Sequence, residues 1–238
     1  MKRYFIFLWI LTSITLTTFS CTPNRRYINR NFSNLAGKEN ITAVVVGNPF
    51  YEPRWVSETS SDFNHYFKAK LSNVFDSSIS IINTSGPEDT FHAFYRRIET
   101  DVLSYQPDIV FFMLGFIDSN QAEQTITYFR EHVRTLFDSF HEADANVIVM
   151  TAIGNRDAYN PYDPGMERLK KYNEIILWEA GHHEFAVIDV GEYFERLRVS
   201  NFDEYYTLFL NELMLNQKGK EYVFDYVFDY IDKAYKEK

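Results

Sequence analysis

Residues 41–52 read Ile-Thr-Ala-Val-Val-Val-Gly-Asn-Pro-Phe-Tyr-Glu. An unbroken run of apolar and β-branched residues, closed by a glycine, predicts a strand buried on both faces, the kind found in parallel sheets. In open α/β sheets, ligands and reacting groups collect in the crevice beyond the carboxyl ends of the strands. The turn after Gly47 is therefore where a nucleophile is expected, and the chain has Asn48 and Pro49 there.

Working outward from this strand, further short apolar runs fall at 79–83, 108–114, 146–152 and 185–189. Amphipathic stretches separate them at about 60–75, 89–105, 121–143 and 166–181, with a last one at 217–235. This alternation is the βαβ pattern. The expected fold class is α/β: a flavodoxin-like doubly wound parallel sheet of five strands, order 2-1-3-4-5. Gly181 is placed to cap the fourth helix, and Pro107 closes the second. Val-Phe-Asp-Tyr occurs twice in succession, at 223–226 and 227–230. The four-residue spacing puts Val223 with Val227 and Phe224 with Phe228, which predicts one packing face rather than a functional repeat.

The chain has 238 residues, 45% hydrophobic and 18% aromatic, enough for one well-packed domain. A formal charge of −9 argues against general affinity for nucleic acid or anionic lipid. Lys2-Arg3, an apolar stretch from Tyr4 to Leu11, and a Ser/Thr-rich run ending before Cys21 read as a targeting segment over 1–20. Cys21 is the single cysteine, so no disulfide forms within the chain. Ser20-Cys21 after an apolar region resembles a bacterial lipoprotein lipobox, which implies lipidation at Cys21 and a membrane-anchored envelope protein, periplasmic or surface-facing. Retention would then rest on acyl chains, since stable anchoring takes more than one. Residues 21–40 are polar and aperiodic, as expected of a tether, leaving 41–238 as the domain.

Four stretches together resemble the sequence blocks of the SGNH (GDSL-type) hydrolases: Gly47-Asn48-Pro49, Asn83 to Thr90, Gly115-Phe116-Ile117-Asp118, and Asn211 to Gly219. The resemblance implies an acyl-transfer fold with a serine in Gly-Asp-Ser and a C-terminal Asp-x-x-His. It also implies an oxyanion hole built from the serine N–H, a block-two glycine N–H and the amide of Gly-x-Asn-Asp. At the matching positions this chain has Pro49, Glu88, Ile117, Asn211 and Met214. Pro49 lacks both a hydroxyl and an N–H. The first serine after Gly47 is Ser57, and no histidine follows His183. Loss of such a triad costs about 10⁶-fold in rate, and loss of one oxyanion donor about 10²–10³. The expectation is an SGNH scaffold without SGNH chemistry.

Other candidates carry less. Asp62 to His65 and Asp138 to His141 spell Asp-x-x-His inside predicted helices. Adjacent His182-His183 at a helix end diverge and complement the helix dipole. Neither metal nor cofactor is expected. Asn48, Glu52, Glu88, Asp118 and Glu212 are candidate crevice residues, whose carboxylates could hold a divalent cation or a cationic group, or be solvated loop acids. The leading expectation is a catalytically inactive protein that binds an envelope glycan, lipid or protein partner. The competing one is a divergent esterase or acyl hydrolase of envelope glycans or lipids, with a relocated nucleophile or using Glu88, Asp118 and Glu212. A third is a purely structural surface protein.

Overall fold

The computed structural model describes residues 32–47, 61–86, 89–121, 124–157, 164–212 and 214–236. Five strands, β1 (Asn40–Gly47), β2 (Ser78–Asn83), β3 (Ile109–Met113), β4 (Asn146–Met150) and β5 (Ala186–Ile188), form one sheet. Their order is β2-β1-β3-β4-β5 and every pairing is parallel, as the apolar runs predict. The helices are α1 (Ser61–Phe75), α2 (Phe91–Tyr95), α3 (Ile98–Asp101), α4 (Phe116–Ser119), α5 (Ile126–Glu142), α6 (Pro164–His182), α7 (Val190–Ser200), α8 (Phe202–Thr207) and α9 (Gln217–Lys236).

Alternation along the strands divides the core into two layers. Ala43, Val45 and Phe111 face a layer that holds Phe67 of α1, Phe194 of α7, and Val223, Phe224, Val227 and Phe228 of α9. Val44, Val46 and Phe112 face the other, with Phe91, Phe94, Phe129, Phe137 and Tyr172. The doubled Val-Phe-Asp-Tyr is thus a packing face. Edge-on ring contacts tie each layer together, such as Phe67 on Phe111 at 4.8 Å and Phe112 on Phe137 at 5.5 Å.

Four local features depart from the sequence reading. The single helix expected at 89–105 is broken into α2, α3 and a 3-10 turn at Leu103–Tyr105. Phe91, Phe94, Ile98 and Val102 are nevertheless all buried, so the apolar spacing survives the breaks; Arg97, at the first break, pairs with Asp89 and with Asp101 at 3.0 Å. Gly181 is not the helix cap. The α6 helix runs through His182, and Glu184 takes the left-handed position at φ 56°. Bonds from Glu184 N–H to Gly181 O and from Phe185 N–H to Ala180 O close the end, with Phe185 buried. After β5, α7 and α8 were not anticipated. Each opens on a side-chain cap: Asp189 accepts from the Glu192 N–H at 3.1 Å and Asn201 from the Glu204 N–H at 3.3 Å.

The fourth departure is at the N-terminal edge. Phe32 and Leu35, within the segment expected as tether, are fully buried in the core, and Phe32 packs on Phe75. Lys38 pairs with Asp108 at 2.5 Å, and Asn146 donates to the Asn34 side chain at 3.2 Å. Two apolar side chains among polar neighbours suffice to dock this segment. The packed core therefore takes in Phe32 and Leu35, ahead of the boundary expected at residue 41.

Candidate functional site

The carboxyl ends of β1, β2 and β3 and the loop before α9 carry the four sequence blocks. Strand β1 ends at Gly47 with φ 90°, where a Cβ would lie 1.9 Å from the Met113 carbonyl oxygen. Only glycine fits both the backbone angle and the approach of β3. Asn48, Pro49 and Glu52 lie outside the described residues, as do Glu88 and Cys21. In the loop after β2, Thr84 is bonded through its N–H to Val45 O at 2.9 Å, and the Asn83 side chain accepts from the Ser85 N–H at 3.0 Å. Asp89, held by Arg97, accepts from the Gly86 N–H at 2.7 Å. Ser85 Oγ is buried and without a hydrogen-bond partner among the described residues.

After β3, neighbouring residues diverge. Ile117 is half-buried in a cluster with Phe116, Ala152, Leu169 and Met166. Asp118 is fully buried, and both carboxylate oxygens accept from the Phe91 N–H, at 3.2 and 3.3 Å, at the start of α2. Gln124 also approaches it, at 3.4 Å. Burial pushes the Asp118 carboxyl up to about 6, against the opposing pull of the Phe91 N–H, Gln124 and the more distant His132. Its role is to hold two loops together from within, and it is not open to solvent.

The loop before α9 divides in the same way. Asn211 accepts from the Met214 N–H at 2.9 Å, and Leu210 N–H donates to Met214 O, closing a tight turn. Asn216 accepts from the Gly219 N–H at 3.0 Å and donates to Thr207 O at 2.7 Å, capping α9. A Cβ on Gly219 would lie 2.1 Å from Leu208 O. Glu212 is exposed; its carbonyl accepts from the Arg156 N–H at 2.8 Å, while the Arg156 guanidinium bonds Asp157 and lies 4.6 Å over the Tyr206 ring. Among the described residues, no group of three or more His, Cys, Asp or Glu could hold a metal ion. Asp138, from one Asp-x-x-His string, contacts His183 at 2.8 Å, and His65 is exposed on α1.

Beyond β4 and β5, between α6 and α7, lies a cavity of about 250 Å³ whose lining includes Ala152, Met166, Leu169, Asn173, Asp189 and Glu192. Asn173 bonds both backbone groups of Ala152, at 3.0 and 2.9 Å, and Thr151 Oγ joins Asp189 at 2.7 Å to the Gly191 N–H at 2.8 Å. Ala152, Met166 and Leu169 also belong to the Ile117 cluster, so the cavity wall continues to the third block. Sequence reasoning missed this cavity because it depends on α7, whose Asp189-x-x-Glu192 capping pattern was the available signal.

The family model for GDSL-like lipases and acylhydrolases matches residues 41–221. Among solved structures, the chain is similar to an acetylxylan esterase from Geobacillus stearothermophilus, with TM-score 0.65 and 15% identity, covering 82% of this chain and 94% of that one. It is also similar to an alpha/beta hydrolase from the metagenome of Lake Arreo, Spain, with TM-score 0.67, 16% identity and coverage of 85% and 98%. A lipase/acylhydrolase from Enterococcus faecalis aligns with TM-score 0.61, 19% identity and coverage of 83% and 98%. At these identities the likeness is one of fold. No curated protein matches the chain.

Proposed function

Since the chain belongs to the GDSL-like lipase/acylhydrolase family, we propose that it is an envelope-tethered member that binds an acyl-bearing ligand, an acylated glycan or lipid, without hydrolysing it. The observation that carries this reading is the packing of Ile117. At the block position where the family resemblance puts an amide donor, an apolar side chain packs in one cluster with Ala152, Met166 and Leu169, which themselves line the adjoining cavity. Such a wall suits an acyl group, while Asn173, Asp189 and Glu192 offer polar contacts to its carrier. Binding is preferred to turnover because Pro49 has no hydroxyl and no histidine follows His183.

The reading is tested by p-nitrophenyl acetate turnover together with thermal shift against acetylated and deacetylated xylo-oligosaccharides and short-chain acyl glycerides. The expected result is turnover equal to a heat-denatured control and a rise in unfolding temperature with acylated probes alone. Turnover that disappears on mutating one crevice residue would overturn it. Incorporation of a fatty-acid analogue in wild type but not Cys21→Ala checks the tether. The second reading, a divergent esterase, is favoured by the Ser85 hydroxyl just beyond β2, buried and without a hydrogen-bond partner among the described residues, and by the esterase activity named for the Geobacillus neighbour. That reading requires turnover abolished by Ser85→Ala.

A further inference from the structure

On the outer face of the helices that cover β1 and β3, two imidazoles from separate elements converge. Phe91 of α2 packs on Phe129 of α5 with ring centroids 5.0 Å apart. The next residue on α2, His92, and the residue three further along α5, His132, continue that contact outward. The nitrogens His92 Nδ1 and His132 Nε2 are 3.0 Å apart. We propose that this pair is a two-histidine clamp for a divalent transition-metal ion of the imidazole-preferring class, Zn²⁺, Ni²⁺ or Cu²⁺.

Three observations support the assignment. Metal–imidazole bonds of about 2.0–2.1 Å place two nitrogens on one tetrahedral ion about 3.3 Å apart, so the separation need grow by only a few tenths of an ångström while the rings turn to aim both lone pairs at the ion. His132 Nδ1 lies 2.8 Å from Tyr128 O. Its N–H is donated to that carbonyl, which leaves the Nε2 lone pair directed at His92, the outer-shell arrangement that metal-binding histidines use. Moving the His92 proton from Nδ1 to Nε2 by exchange with water frees the second lone pair. The Tyr128 hydroxyl, 3.4 Å from His92 Nδ1, is a third donor within reach.

With two protein nitrogens and water completing the shell, the ion would be exchangeable. Its effect would be to fix α2, which follows directly on the 84–90 loop, against α5. The clamp is independent of what the crevice binds.

The test uses the full-length chain purified without a polyhistidine tag, titrated with ZnCl₂ and NiCl₂ by calorimetry and followed by thermal unfolding. One ion per chain is expected, with an unfolding temperature raised by about 2 °C or more and affinity falling at least tenfold between pH 7.5 and 5.5 as the imidazoles protonate. His92→Gln and His132→Gln should each abolish the shift, whereas His182→Gln and His183→Gln should leave it unchanged. Absence of saturable binding, or binding that survives His92→Gln, overturns the clamp. As a measurement that needs no variant, one equivalent of Cu²⁺ should give an electron paramagnetic resonance spectrum with two coupled nitrogens; fewer than two overturns it.

Discussion

Ile117 and Asp118 stand side by side in one sequence block and have opposite fates. Asp118, with no access to solvent, ties the start of α2 to α4, while Ile117 belongs to the apolar wall around Met166. The same division recurs before α9. Asn216 and Gly219 fix the helix start through three hydrogen bonds and a backbone approach that excludes a side chain. Asn211 and Met214 meet in a local turn, the Asn211 side chain accepting from the Met214 N–H. Where this chain matches the motifs that the resemblance supplies, Gly47, Asp118, Asn216 and Gly219 carry architecture; on the proposed reading, the positions where it departs are those to which the resemblance assigns chemistry. An architectural demand acts on folding whether or not a reaction follows.

The contrast breaks most decisively at Gly47. Gly47→Val puts a branched side chain into the Met113 carbonyl at a left-handed φ, and a loss above about 4 kcal/mol in urea denaturation is expected, enough to prevent folding at ordinary temperature. A fully stable variant would mean that β1 and β3 separate there easily. Next in size is Asp118→Ala, which strands the buried Phe91 N–H and should cost about 1–3 kcal/mol. Asp118→Asn keeps an acceptor and removes the buried charge. Because the native carboxyl titrates near 6, against 3.8 for the unreacted group, the folded state binds the proton more tightly. Ionising Asp118 therefore subtracts stability as pH rises from about 4 through 6, on the order of 2–3 kcal/mol. Urea midpoints at pH 4.5 and 7.5 should show Asn gaining on wild type at the higher pH. The smallest effect belongs to the crevice side: Ile117→Asn should cost about 1 kcal/mol or less, its side chain being half-exposed, and give no p-nitrophenyl acetate turnover. Activity restored by that single change would erase the distinction between the two sets of residues.

The sheet was readable because strands buried on both faces leave uninterrupted apolar runs, and Val44 to Val46 and Ile109 to Met113 are of this kind. Helix continuity was not, because periodicity survives a break: Phe91, Phe94, Ile98 and Val102 keep helical spacing across two of them. At the site, the positions that the resemblance marks as departures are named from residue type alone, and the proposed function builds on them. What the retained ones do could not be read that way, since Asp118 reaches across 27 residues to its partner and nothing in its own segment marks it as buried. The burial of Glu179 beneath Arg130 and Arg134 is equally non-local.

The docked segment at Phe32 sets a leash and a direction. Lys38 and Asn34 meet Asp108 and Asn146 at the amino ends of β3 and β4, so the chain enters the domain on the side opposite the crevice. On the proposed anchoring at Cys21, only the ten residues from 22 to 31 are left to span from lipid to domain, at most about 36 Å when fully drawn out. Held so closely by its back under that proposal, the protein would present the mouth of its cavity away from its own bilayer. The acyl groups it would then meet first are those arriving from the far side, on glycans or on a facing membrane, and not those of the lipids that hold it.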